Sequence, residues 1–106
     1  MKLNPKLPEQ LQSGNYSGTR HYFTRKRERD FKDIDIVKAI LEGEVIEKIQ
    51  RTGYPEHYVV YCVQKEKIFH VAFLYSNERL LIKTIYKPDN DHYKPDNKTR
   101  IQKDKK

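Results

Sequence analysis

The stretch His57–Lys87 reads HYVVYCVQ KE KIFHVAFLY SNER LLIKTIYK, three runs rich in valine, isoleucine, phenylalanine and tyrosine. β-Branched and aromatic side chains suit a pleated, half-buried surface, so each run is expected to be a strand. Only Lys65 and Glu66 separate the first run from the second, and only Ser76 to Arg79 separate the second from the third. Connections that short join antiparallel neighbours, because a parallel crossover needs a dozen residues or more. The spans His57–Gln64, Lys67–Tyr75 and Leu80–Lys87 therefore predict a meander. Period-two alternation puts Ile68, His70, Ala72 and Leu74 on one face of the middle strand. In the last strand it groups Leu80, Ile82, Thr84 and Tyr86 on one face and Leu81, Lys83, Ile85 and Lys87 on the other. Both faces are mixed, so alternation alone does not say which one meets solvent.

Working upstream, Arg51–Glu56 carries Gly53 and Pro55 and reads as a loop, and Val45–Gln50 reads as a further strand. Before it, Ile34, Val37, Ile40 and Leu41 form an apolar helical stripe, with Asp33 placed as N-cap and Gly43 as the stop. The run Thr19–Phe31 contains neither proline nor glycine, has Ser17 or Thr19 as a cap, and predicts a helix ending near Asp30. The expected fold is α+β: two N-terminal helices packed on a four-stranded antiparallel sheet, with the other sheet face left open for a ligand. Residues 1–18, with two prolines, two glycines and Leu3, Leu7 and Leu11 spaced four apart, read as an irregular arm. Residues 19–93 are expected to form the domain and residues 94–106 a basic tail.

A chain of 106 residues, 36% apolar and 35% charged, is one domain whose core must be concentrated between Ile34 and Tyr86. The formal charge of +7 favours polyanionic partners. It is gathered into two patches: residues 20–29 hold five basic residues against Glu28, and residues 94–106 hold six against Asp96 and Asp104. The plainer account of both is a solvated face and a basic tail. Cys62 is the only cysteine, which excludes a disulfide framework and a cysteine-based zinc site and fits a reducing compartment. It lies in the apolar run from Tyr58 to Val63, where an inert buried thiol is expected. Residues 1–18 hold no apolar signal core, and no window approaches the length of a membrane span, so the chain is expected in the cytoplasm, or delivered without a classical signal.

Within the first helix His21, Arg25 and Arg29 stand one turn apart on a single face. Such a face carries an imidazole that titrates near neutrality and guanidinium groups that grip phosphate in bidentate fashion. His70 is a second imidazole, on a strand. Each residue also has a plainer reading: His21 as a solvated helix start, His70 as a hydrogen-bonded core residue, the arginines as a solvated face and Tyr86 as a strand-end aromatic. His57, His70 and His92 lack a metal-binding spacing, and no glycine-rich phosphate loop or serine or cysteine nucleophile motif is present, so no metal and no cofactor are expected.

Taken in order, the His-x3-Arg-x3-Arg of His21, Arg25 and Arg29, the Glu-Gly-Glu-Val-Ile-Glu of Glu42–Glu47, Pro55, the Phe-His-Val of Phe69–Val71 and the Lys-Thr-Ile-Tyr-Lys-Pro of Lys83–Pro88 resemble the family known as domain of unknown function 4258. The likeness covers about residues 19–100. That family in turn is similar to the RelE/ParE-like toxins. The resemblance implies a metal-independent endoribonuclease, or toxin-like protein, acting on RNA by general acid/base chemistry and met by an acidic antitoxin-like partner. On its motif His21, His70 and Tyr86 fall at catalytic positions, and Arg25, Arg29, Thr84 and Arg100 at substrate-binding ones. Tyr93 stands where the family has tryptophan, which keeps an aromatic surface for stacking. The alternative is a non-catalytic module whose basic face holds RNA or an acidic protein.

Overall fold

Two-residue turns set the register of the sheet. In the computed structural model, which describes residues 2–88 and 96–99, strands β3 (Glu56–Gln64), β4 (Lys67–Ser76) and β5 (Arg79–Tyr86) pair antiparallel in that order. Lys65 and Glu66 join the first two strands, Asn77 and Glu78 the last two, and all four residues have positive φ, between 50° and 63°. That is the turn geometry whose twist matches paired strands, adopted here without glycine. The meander is as expected, and the sheet around it is larger. Strand β2 (Glu44–Ile49) adds antiparallel to β3, and the two-residue β1 (Ser17–Gly18) adds parallel to β5, pairing with Leu81 and Ile82. The sheet is thus five-stranded and mixed, in the order β1-β5-β4-β3-β2, and not four-stranded and antiparallel.

Three helices precede or interrupt it, where two were expected. Helix α1 (Leu7–Gln12) lies within the stretch read as an irregular arm. Six residues are too few to hold a helix unaided. Leu7 and Leu11, one turn apart and at most 1% exposed, fix it to the core, and Gln10 Nε2 donates to the Glu78 carbonyl at 2.6 Å. Pro8 sits in the first turn of α1, where proline is tolerated, and a reading by proline and glycine content did not weigh the two buried leucines.

Helix α2 (Arg20–Glu28) starts at Thr19, whose hydroxyl accepts from the Tyr22 N–H at 3.1 Å. It ends where predicted. Asp30 takes φ 58°, Phe31 N–H donates to the Lys26 carbonyl and Asp30 N–H to that of Arg27, the paired bonds of a Schellman motif with aspartate in the usual glycine place. Helix α3 (Asp33–Glu42) begins one residue earlier than expected. Lys32 holds the N-cap position, and its N–H donates to the Asp35 carboxylate at 2.8 Å, which holds that carboxyl below its ordinary range. Gly43 closes α3 with an extended backbone. A β-carbon there would lie 2.5 Å from the Tyr61 carbonyl oxygen, so the glycine permits the close approach of α3 to β3.

The core lies between the helices and one sheet face. Tyr58, Val60 and Cys62 of β3, Phe69, Val71, Phe73 and Tyr75 of β4, and Leu80, Ile82 and Ile85 of β5 meet Leu7, Leu11, Tyr22, Phe31, Ile36 and Ile40. The order Leu80, Ile82, Ile85 breaks strict alternation. The β4–β5 register slips between Ala72–Thr84 and Phe73–Ile82, so Lys83 is an extra, bulged residue. Leu80 and Ile82 therefore face the core, whereas Thr84 and Tyr86 face the opposite way, and the four do not share one face as alternation predicted. Cys62 is fully buried, and burial pushes its thiol up to about 12, which removes it from nucleophilic chemistry. No helix among the described residues is long and apolar enough to cross a membrane.

Candidate functional site

The outer sheet face, opposite the helices, carries the second histidine. Register places His70 of β4 directly across from Tyr61 of β3 and Tyr86 of β5, and Tyr61 across from Glu44 of β2. The four form one row across four strands. Both tyrosine rings meet the imidazole edge-on, with centroids 6.1 Å away for Tyr61 and 5.2 Å for Tyr86. Thr84 lies two residues before Tyr86 on the same face, across from Ala72, and its hydroxyl donates to the Ile85 carbonyl at 3.3 Å. The structure thus gathers three residues singled out in the sequence, His70, Thr84 and Tyr86, because the bulge at Lys83 turns the end of β5 over. It adds Tyr61, which no motif contains, and Glu44, which lies inside the Glu42–Glu47 motif but was assigned no site role. A two-residue turn at Lys65 and Glu66 fixes the pairing of Tyr61 with His70, so Tyr61 was reachable from turn length alone.

His70 itself is wholly buried, and its Nε2 lies 2.6 Å from the Asn97 carbonyl oxygen. A carbonyl only accepts, so Nε2 carries the proton in this arrangement. The plainer reading, of a hydrogen-bonded buried histidine, therefore describes the state seen here. Next to Asn97, Lys98 pairs with Glu44 at 2.8 Å and sits 4.7 Å from the centre of the Tyr61 ring.

The basic helix supplies the other candidates. His21 is exposed in the first turn of α2, and no hydrogen bond among the described residues joins it to His70 or Tyr86. Arg25 pairs with Glu28 at 3.2 Å, with both side chains largely in solvent, an arrangement that water screens and that holds the guanidinium weakly. Arg29, the C-cap, has a buried Nε without a hydrogen-bond partner among the described residues. It lines an open groove of about 950 Å³ with Lys67, Lys87, Glu28 and Glu66, and the groove reaches Asn97. Arg29 is thus the member of the α2 stripe that shares a groove with Asn97, the residue whose carbonyl meets His70. Lys67 also donates to the Arg29 carbonyl at 3.4 Å, a structural use at the negative end of the helix. Lys26 is structural as well, paired with Asp33 and lying over the Tyr22 and Phe23 rings. Arg100, His92 and Tyr93 lie outside the described residues.

No group of three or more His, Cys, Asp or Glu side chains among the described residues converges as metal ligands would. The surface can therefore offer an imidazole, phenol and hydroxyl groups, and guanidinium and ammonium cations along its border.

A family model described as Domain of unknown function (DUF4258) matches residues 19–87, from the Thr19 cap through β5. No curated protein and no solved structure matches the chain.

Proposed function

The chain belongs to the family described as Domain of unknown function (DUF4258), and from that premise we propose that it acts on RNA as a metal-independent endoribonuclease of the toxin kind. The observation that carries the reading is the cross-strand pair of His70 and Tyr86, with Thr84 on the same face and Arg29 at the border. RNA cleavage without a metal needs a base for the 2′-hydroxyl, an acid for the leaving 5′-oxygen and cations beside the phosphate. With the Asn97 carbonyl displaced and the ring proton on Nδ1, His70 Nε2 takes the 2′-hydroxyl proton as that oxygen attacks phosphorus. The bond from phosphorus to the 5′-oxygen breaks, and the Tyr86 hydroxyl supplies that oxygen with a proton. Thr84 hydrogen-bonds a phosphate oxygen, and Arg29 and Arg25 hold the strand. His21, apart from the pair, serves the approach of RNA and not the proton transfer. The reading takes the resemblance of the family's motifs to RelE/ParE-like toxins as its ground, and from the same resemblance comes an acidic antitoxin-like protein as cover for the basic face of α2.

A second reading rests on the burial of His70 under Asn97: a module that holds RNA on the same basic border and leaves it intact. Total RNA incubated with the purified protein in EDTA separates the two. The endoribonuclease reading expects cleavage that falls by about 10²-fold or more in both His70→Gln and Tyr86→Phe. Full cleavage by both variants removes these residues from the chemistry. Intact RNA bound with an affinity that drops as salt rises supports the module, and RNA neither cut nor bound overturns both.

A further inference from the structure

Residues 96–99 form a small, self-capped turn on the outer sheet face. The Asp96 carboxylate accepts from the N–H groups of Lys98 and Thr99, at 3.0 and 2.9 Å, and from the Thr99 hydroxyl at 2.7 Å. Asn97 takes φ 60°, a left-handed conformation that asparagine tolerates and β-branched residues resist. The turn then touches three of the four members of the row: the Asn97 carbonyl at His70, the Lys98 ammonium at Glu44, and the same ammonium at the Tyr61 ring.

These contacts imitate a ligand. The Asn97 oxygen stands on the one nitrogen through which His70 would meet an RNA oxygen, and Lys98 occupies the ring face of Tyr61. An aromatic ring that is partly exposed beside an imidazole, as Tyr61 is, is a platform on which any nucleobase can stack. We propose that residues 96–99 are an internal pseudo-ligand, and that the row of Tyr61, His70 and Tyr86 is a nucleotide subsite which single-stranded RNA enters as this turn lifts. The proposal rests on the RNA-directed reading above and adds to it a base-stacking residue, Tyr61, and a built-in restraint.

The restraint is displaceable. The side chains of Lys98 and Glu44 are 38% and 58% exposed, so their attraction is that of a surface pair. With the ring contact added, it holds the turn shut by about 5- to 10-fold. A site open only part of the time binds more weakly by the open fraction, and releasing the turn restores that factor.

The test uses the full chain, a short fluorescein-labelled single-stranded RNA, and the variants Lys98→Ala, Asn97→Val and Asn97→Gly. Lys98→Ala and Asn97→Val are expected to bind the RNA about 5- to 10-fold more tightly than the wild type. Asn97→Gly, which keeps the left-handed turn, is expected to match it. The sign is diagnostic, because loss of a cation by itself weakens RNA binding. Equal or weaker binding by Lys98→Ala overturns the proposal. A second readout needs no RNA: carbethoxylation of His70 by diethyl pyrocarbonate, mapped by mass spectrometry with exposed His21 as internal reference. The His70 rate is expected to rise at least about fivefold in both opening variants. An unchanged rate overturns the restraint whatever RNA does. A raised rate in a protein that neither binds nor cuts RNA overturns instead the RNA-directed reading, and with it the nucleotide subsite.

Discussion

Replacing Leu11 by alanine tests whether the segment ahead of the family-matched region is part of the folding unit. Leu11 is 1% exposed and Leu7 fully buried, and together they fasten a six-residue helix. A helix of that length is about 9 Å long and does not persist without its docking contacts. Truncating a fully buried leucine costs about 2–5 kcal/mol, counting lost transfer energy and the cavity left behind. A chain of this size has a total stability on the order of 5–15 kcal/mol, so the change removes a large share of it. At about 4–8 °C per kcal/mol for a small domain, the expected fall in Tm is at least about 8 °C. Differential scanning calorimetry measures it directly, with Gln12→Ala, an exposed change on the same helix, as the control. Urea denaturation adds a second quantity: if α1 undocks, the native state buries less surface and the m-value falls. Because α1 lies on the helix side of the sheet and the His70 row on the other, RNA binding well below Tm is expected to stay at the wild-type level. A Tm within about 3 °C of wild type, less than 1 kcal/mol by the same scaling, would refute the argument that these leucines anchor the helix.

Three further outcomes follow from local geometry. Asp30→Gly removes a side chain from a left-handed helix end and should stabilise the protein by about 1 kcal/mol in urea titration; a loss would show that the Asp30 side chain has a role beyond the turn. Gly43→Ala puts a methyl group 2.5 Å from the Tyr61 carbonyl oxygen and 2.7 Å from that of Ala39, and should cost about 1–3 kcal/mol; an unchanged urea midpoint would contradict the close packing of α3 on β3. The Asp96 carboxyl is held down at about 2 by the N–H groups of Thr99 and Lys98. A lowered folded value means that its contribution to the turn is present above the unfolded value of about 4 and is lost as pH falls through about 2. The ¹³C chemical shift of its carboxyl should therefore be flat from pH 7 to near 3, and a midpoint close to 4 would mean that the turn does not form.

Short-range features of the sequence were legible because their causes are short-range. The Lys65-Glu66 turn, the short connection around Ser76–Arg79, the Thr19 cap and the end of α2 near Asp30 each depend on a few neighbouring residues. The departures have longer reach. Helix α1 forms because Leu7 and Leu11 meet a core assembled from residues far along the chain, and β1 forms because Ser17 and Gly18 lie beside Leu81 and Ile82. The four-residue spacing of Leu7 and Leu11 was visible in the sequence, but what they pack on was not, and the pairing of Ser17 and Gly18 leaves no local mark. At the site, family resemblance and alternation singled out His70, Thr84 and Tyr86, yet alternation alone joined Thr84 and Tyr86 to Leu80 and Ile82 of the core face. Tyr61 went unmarked because no motif contains it; Glu44 stood inside the Glu42–Glu47 motif, but its role stayed hidden because its partner, Lys98, comes from more than fifty residues downstream. The His21 stripe was correctly placed on a helix, but a helical wheel carries no information on where that helix lies relative to β4.

The extra residue at Lys83 makes β5 a strand with two phases. Before it, even-numbered side chains belong to the core; after it, the odd-numbered Ile85 does, and Thr84 and Tyr86 are released to the outer surface. What places a phenol beside His70 is thus the parity of the chain at that point as much as the identity of residue 86. Two relatives with the same Thr-x-Tyr spelling would present different surfaces if one lacked the bulge, and a gap shifted by one position in an alignment would exchange core for cleft without altering a letter. Comparison across the family is therefore sound only when strands are counted from the bulge outward, with the match of residue 84 to Ala72 as the origin.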